Sequence, residues 1–318
     1  RLEVRKDGVR ITSADDAGAF YAQQTLAQMI SEDNGVKEVQ CCVVNDCPRF
    51  SYRGLHFDVS RHFRSLYFLK KQIDAMALYK MNRMHIHLTD AAGWRMEIEA
   101  YPKLTSFAAW RPQQKWKDWW YGDRLYVEEG TEGAYGGYYT KDQMRELVEY
   151  ARQRHIEVIP EIEMPGHSEE VLAAYPELSC KGTAYSQGAF CVGNEETFRF
   201  LETVLEEVME VFPSEMIHIG GDEANKAHWK ECSKCQQRMQ AEGLADVDEL
   251  QSYLIKRIAR FVESKGRRIV GWDEILDGGL AQGSTVMSWR GEEGGLQAMS
   301  MGHDVIMTPG RYCYLDHT

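Results

Sequence analysis

The sequence has no apolar run approaching the roughly 18–20 residues that a membrane-spanning helix needs, so no such helix is expected. It also has no G-x-G-x-x-G and no G-x-x-x-x-G-K-S, which argues against the usual phosphate-cradling turns of nucleotide-binding sheets. Positive charge is scarce: 37 Lys and Arg stand against 49 Asp and Glu, for a net charge of -12. Such a field repels polyanions, so nucleic acid is not expected as a partner and neutral ligands are favoured. No initiator Met or signal peptide precedes Arg1, and YCYLDHT stops in mid-pattern. A fragment or processed chain is therefore expected.

What is present describes a globular protein. Of 318 residues, 43% are hydrophobic and 27% charged, which excludes disorder as the dominant state. The length allows one large or two ordinary domains. Eight cysteines, an even number, fit an oxidising compartment without requiring one. Cys180 and Cys191 flank a short polar segment and are placed to close a small loop. Cys232 and Cys235 form a C-x-x-C, but no second C-x-x-C or His pair stands at zinc-ribbon spacing. Free or locally paired thiols, and no metal, are the expectation.

Residues 1–48 read as strand, helix and strand, with AGAFYAQQTLAQMI helical and VKEVQCCVV a buried run. From about residue 49 a short apolar strand followed by an amphipathic helix repeats. Strands are predicted at 52–60, 83–90, 156–164, 216–223, 267–274, 285–290 and 304–309. Helices with apolar residues at 3.6 spacing are predicted at 65–80, 141–155, 195–212 and 248–266. This alternation implies a parallel sheet, and seven such strands suggest a (β/α)8 TIM barrel. The domains expected are the C-terminal part of a small α+β unit, 1–48, and a barrel, 49–318.

Six of the seven strands end in residues able to do chemistry: Asp58, Asp90, Glu161 with Glu163, Asp222 with Glu223, Asp273 with Glu274, and Trp289 with Arg290. Barrel enzymes gather their sites from several strands at that end. The segment 101–139 breaks the rhythm and carries Trp110, Trp116, Trp119, Trp120, Tyr121 and Tyr126. It reads equally as a ligand-stacking lid or as a satellite core that pins the loop.

Carboxylates, aromatic walls and few basic residues suggest glycoside chemistry. That chemistry needs a protonated acid for the leaving oxygen and negative charge near the oxocarbenium centre. HIGGDEA (218–224) is the sharpest candidate. Two glycines permit close approach, and adjacent Asp222 and Glu223 are expected to push one pKa upward, as a general acid requires. Each residue alone has a plainer reading. Asp222 and Glu223 suit a helix N-cap, Arg61 a cap or surface pair, Trp272 and Trp289 core packing, and His167 an ordinary turn. A competing reading takes His85 and His87, an H-x-H at a strand end, as ligands of a metal-dependent barrel hydrolase.

RGLHFDVSRHF, HIHLTDAAGWRMEI, PEIEMPGHS, HIGGDEA, GWDEI and TPGRYCYLD, in this order, resemble the family 20 glycoside hydrolases, the β-N-acetylhexosaminidases. The resemblance covers about 50–318, and residues 1–48 resemble the end of the small domain that precedes the barrel there. It implies retaining, substrate-assisted hydrolysis of terminal β-linked GlcNAc or GalNAc, with a glycan as partner and no cofactor or metal. Glu223 would be the acid/base. Asp222 would hold the acetamido N–H and stabilise the oxazolinium, and Tyr314 would bind the acetamido carbonyl. Trp272 and Trp289 would wall the pocket for the acetamido methyl, while Arg61 and Asp316 would bind sugar hydroxyls. His167 and Asp90 would form a relay behind the acid/base. Asp58 and Glu163 are read as charges that order Arg61. The family's LWTE-like last strand has no match here, so either sequence beyond Thr318 or an impaired, sugar-binding barrel is expected. A secreted, periplasmic or cell-surface location is also expected.

Overall fold

A computed structural model describes residues 1–316. Seven strands, β1 (Gly54–Asp58), β2 (Arg83–His87), β3 (Glu157–Met164), β4 (Met216–Gly220), β5 (Arg268–Trp272), β6 (Thr285–Ser288) and β7 (Val305–Met307), lie side by side in chain order. The pairs from β3 to β7 are parallel. Helices α1 (Leu66–Leu78), α2 (Lys141–Arg152), α3 (Glu195–Val211), α4 (Val247–Ser264) and α5 (Glu293–Ser300) occupy the connections. This is the strand–helix repeat of a partial TIM barrel.

The helices form where the sequence caps and patterns them. Ser65 accepts from the Phe68 N–H (3.2 Å), Asn194 from that of Glu196 (3.2 Å), and Asp246 from those of Asp248 and Glu249 (both 2.9 Å). In α3, Phe198, Leu201, Val204, Leu205 and Val208 form one buried stripe, and in α4 Leu250, Leu254, Ile258 and Val262 form another. Each side chain buried this way contributes about 1.5–3 kcal/mol.

The chain divides into two compact units, one of residues 1–56, 65–85 and 146–158, the other of 57–64, 86–145 and 159–316. In the first, Leu2–Arg5 pairs antiparallel with Gly8–Ile11 and with Cys42–Val44. The helix Asp16–Met29, capped by Asp15, hands a hydrogen bond from Gln28 to the Leu78 carbonyl of α1. The run VKEVQCCVV is not buried. It breaks into Val36–Glu38 and Cys42–Val44, and Val36 and Val43 are more than half exposed. A three-stranded sheet of this size leaves one face of such a run in water, which an apolar count cannot foresee.

Except for β3, which ends at Met164 as predicted, the strands stop earlier than predicted at their C-terminal ends, so that Asp90, Asp222, Glu223, Asp273 and Glu274 lie just beyond the ladder, while Asp58, Glu161 and Glu163 remain within strands. From the last residue of β4 onward, Gly220 (φ 67), Gly221 (φ 100) and Glu223 (φ 47) all adopt left-handed backbone. A Cβ on Gly220 would fall 1.7 Å from Glu163 Oε2, and one on Gly221 would fall 2.5 Å from Ile275 Cγ2. The glycines of HIGGDEA therefore admit neighbouring side chains and turn the chain so that Asp222 and Glu223 leave the strand.

Candidate active site

All site residues belong to the second unit. Asp58, at the end of β1, accepts from the backbone N–H groups of Ser60 and Arg61, both at 2.9 Å, and so folds the turn that carries Arg61. The Arg61 guanidinium reaches Asp58 Oδ2 at 3.0 Å and Asp90 Oδ2 at 2.7 Å. Asp90 also accepts from the Ala91 N–H. Burial works against its charge, but Arg61 and His167 outweigh burial and hold its pKa far below the ordinary range.

His167, left-handed at φ 51, sits between carboxylates. Its Nδ1 is 3.3 Å from Asp90 Oδ1, and its Nε2 is 3.4 Å from both Asp222 Oδ2 and Glu223 Oε2. Burial would lower its basicity, but Asp90, Asp222 and Glu223 raise it well above the usual histidine value, so the ring is an imidazolium. The Glu223 carboxyl, 58% exposed, is pulled down by His167. Of the two carboxyls expected to push one pKa upward, Glu223 is not the one raised in the unliganded site, because the His167 cation lies against it. Asp222 Oδ1 is buried with no hydrogen-bond partner among the described residues.

The face formed by Glu161 and Glu163, two apart on β3, supports this row from behind. Glu161 is fully buried and accepts from His87 Nδ1 (2.6 Å) and Trp272 Nε1 (2.8 Å), with His218 Nδ1, which itself accepts from the Gly220 N–H, 3.0 Å away. Burial opposes the charge on His87, but Glu161 and Asp90 raise its pKa well above normal. The His87 ring then donates from Nδ1 to Glu161 and from Nε2, at 2.9 Å, to Asp90. Glu163 lies 3.9 Å from His87 Nδ1 and adds to the field that raises Arg61, while burial, Asp222 and Glu161 push its own pKa well up.

Trp289 donates to Glu274 Oε2 at 2.9 Å and lies parallel to Tyr314, with ring centroids 6.2 Å apart. Tyr314 is raised by burial and by Asp222, which places it in the same field. Asp316 is exposed, and its charge also raises Tyr314. Burial, and then Asp222, push Glu274 up to about 7. A carboxyl with a raised folded pKa stabilises the fold while both states are protonated, and that contribution is lost as pH rises from its ordinary value near 4.5 to about 7. Glu274→Gln should therefore raise Tm more at pH 8 than at pH 5. A variant with the same Tm increment at both pH values would show that Glu274 does not titrate in this window.

The aromatic segment is a satellite core. Trp119 and Tyr126 pack with Ala91 and Ala92, next to Asp90, and Trp116, Trp120 and Phe107 cover them. Two buried arginines tie the surrounding loops. Arg95 donates to the Ser60 (2.6 Å) and Gly137 (3.0 Å) carbonyls, and Arg111 to those of Arg61 (2.8 Å) and Ala92 (3.1 Å).

Arg61, Asp90, His167, Asp222 and Glu223 are thus linked through successive contacts. Trp272 joins through Glu161 and His87, Tyr314 through the field of Asp222, and Trp289 through its stacking on Tyr314. Glu161, His87, Arg95 and Arg111 were not singled out for these roles. The period-two spacing of Glu161 and Glu163 was the available signal for the first. The H-x-H does not assemble as a pair of ligands: His87 is enclosed by Glu161 and Asp90, and the group that could hold an ion with it is Asp90 and Glu163, not His85.

Carboxylates and indoles gather around a histidine cation at the C-terminal ends of parallel barrel strands, the place where barrel enzymes build their sites. Residues 50–318 match the catalytic domain of glycosyl hydrolase family 20, and residues 1–47 match domain 2 of the same family. The chain belongs to glycosyl hydrolase family 20. It is 47% identical to a beta-hexosaminidase of Porphyromonas gingivalis, over 99% of this chain and 41% of that protein. It is 38% identical to a beta-hexosaminidase of Vibrio furnissii, over 99% and 52%. Among solved structures, the exo beta-N-acetylglucosaminidase of Vibrio harveyi in complex with N-acetylglucosamine superposes with a TM-score of 0.90 at 32% identity, covering all of this chain and 50% of that one. The beta-N-acetylhexosaminidase of Bacteroides fragilis gives 0.86 at 33%, covering all of this chain and 62% of that one. The chain spans about half the length of the first two relatives.

Proposed function

We propose that this chain carries the catalytic centre of a retaining exo-β-N-acetylhexosaminidase that removes terminal β-linked GlcNAc or GalNAc from glycans. The observation that carries this reading is Asp222 Oδ1, a buried acceptor with no partner among the described residues, next to the acid/base candidate Glu223. An unmatched buried acceptor costs about 1–3 kcal/mol, more if charged, and a substrate N–H would relieve it. The acetamido oxygen attacks the anomeric carbon while Glu223 delivers its proton to the departing oxygen, which breaks the glycosidic bond. Asp222 accepts from the acetamido N–H and stabilises the positive oxazolinium, and Tyr314 donates to the acetamido oxygen. Glu223, now a carboxylate, takes a proton from water as the water opens the ring.

A bound sugar would cover the exposed Glu223 and favour its protonated form, which offsets the pull of His167. Trp272 and Trp289 form the wall for the acetamido methyl, and Arg61 and Asp316 take the hydroxyls. Residues 1–48 make up the end of a leading domain and 49–318 the catalytic barrel. No described helix is long and apolar enough to cross a membrane. A secreted, periplasmic or cell-surface location is part of the same reading, supported by the even number of cysteines.

Substrate assistance has a direct test. The purified protein should cleave an aryl β-N-acetylglucosaminide and leave the aryl β-glucoside, which lacks the 2-acetamido group, essentially untouched. Equal rates on the two would rule out the acetamido nucleophile.

A further inference from the structure

Four cysteines take no part in the sugar chemistry and converge in one place. Cys180 and Cys191 come from the segment between β3 and α3, and Cys232 and Cys235 from the segment between β4 and α4. Cys232 caps the helix Ser233–Glu242, and Cys235 stands in its first turn. The Sγ atoms of Cys180 and Cys235 are 3.9 Å apart, and Cys191 lies 3.7 Å from both Cys232 and Cys235. All four sulfurs lie within 4.8 Å of one another, and Cys191 and Cys235 have no exposure at all.

The spacing discriminates among the possible states of the sulfurs. A disulfide needs about 2.05 Å between them. A tetrahedral metal with bonds of about 2.3 Å to four thiolates sets its ligands about 3.8 Å apart, the edge of that tetrahedron. The three distances above fit the second figure. The expectation of a small Cys180–Cys191 loop and an independent C-x-x-C is replaced by one four-sulfur group, assembled from segments about 50 residues apart.

We propose that Cys180, Cys191, Cys232 and Cys235 bind one zinc ion in a closed, structural tetrathiolate site. Zinc suits four soft thiolates, accepts tetrahedral geometry and has no redox chemistry of its own. Four thiolates and one zinc carry a charge of about −2, and the exposed Lys181 and Lys234 adjoin two of the ligands in the chain.

The position gives the ion a purpose. Between β3 and Cys180 lies His167, and between β4 and Cys232 lie Asp222 and Glu223. Phe190 donates to the Pro165 carbonyl at 2.9 Å, Ser168 to that of Gly188 at 3.0 Å, and the Trp229 indole to that of Phe190 at 2.8 Å. A Cβ on Gly193 would fall 2.1 Å from the Lys234 carbonyl carbon, so the two segments meet backbone to backbone. The zinc staples together the two loops that present the acid/base candidate and the histidine facing it.

The test uses the purified protein. Elemental analysis should find one zinc per chain, and exchange into cobalt(II) should give thiolate charge-transfer and tetrahedral ligand-field bands. Alkylation of the native protein should reach Cys41, Cys42, Cys47 and Cys313 and spare the four ligands until a chelator and denaturant are added. The double variant Cys232→Ser/Cys235→Ser should drop from one zinc per chain to near zero, whereas Cys313→Ser should keep the metal. An intact mass short by the hydrogens of disulfides within this quartet would overturn the proposal, as would a zinc-free native protein in which all four thiols alkylate. Neither result depends on glycosidase activity, so the zinc site and the sugar chemistry fail or stand separately.

Discussion

Glu223→Gln should lower kcat/KM for substrates with poor leaving groups by about 10²–10⁴-fold and spare kcat/KM for activated aryl substrates, whose kcat and KM both fall because the base that opens the oxazolinium is also lost. Gln keeps the shape of Glu and accepts the same left-handed backbone, and the side chain is 58% exposed, so a folding defect is not expected. What is lost is the proton given to the departing oxygen, which matters most when that oxygen leaves badly. The free enzyme holds Glu223 toward its charged form through His167. A sugar that buries Glu223 shifts it the other way. Because this group must be protonated to act, activity falls as pH rises through its pKa. The alkaline limb of kcat, which reports the complex, should therefore lie at higher pH than that of kcat/KM, which reports the free enzyme. The variant should lose this limb. An equal loss across all leaving groups would remove Glu223 from the acid role.

Asp222→Asn should reduce kcat by about 10²–10³-fold, in the range seen when one preorganised electrostatic contact to a charged intermediate is removed. The side chain changes little in volume, so the loss would come from the missing negative charge beside the oxazolinium. A second readout separates this from misfolding. The charge of Asp222 helps to raise Glu163, Glu274 and Tyr314. Removing it should bring Glu274 down from about 7 and narrow the pH window over which stability declines. Tm measured from pH 4 to 8 would show this. Unchanged kcat would refute the role of Asp222, and an unchanged Tm profile would refute the electrostatic coupling.

Much of this site was legible before any fold was known, for an identifiable reason. The strand ends could be located from apolar runs that meet glycine or a carboxylate, and HIGGDEA, PEIEMPGHS and GWDEI carry their chemistry within a few residues. Other features were not legible in that way. Glu161 serves His87, His218 and Trp272, partners 74, 57 and 111 residues away, and nothing in their local pattern joins them. Trp119 suits a sugar platform or a small core equally well from composition, and its burial against Ala91, Ala92 and Tyr126 settles the matter for the core. The direction of the Glu223 shift depended on a histidine 56 residues earlier, which outweighs burial and the charge of Asp90.

The sequence alone determined the order and type of the barrel elements, because periodicity and capping act over three to seven neighbouring residues. It also determined the family, because the ordered motifs span most of the chain. The tertiary structure decided which charges neutralise one another, which aromatic segment is a core and not a lid, and that four cysteines form one group. Those outcomes depend on distances between residues far apart in the chain, and electrostatic and metal-ligand energies change sign or vanish over a few ångströms.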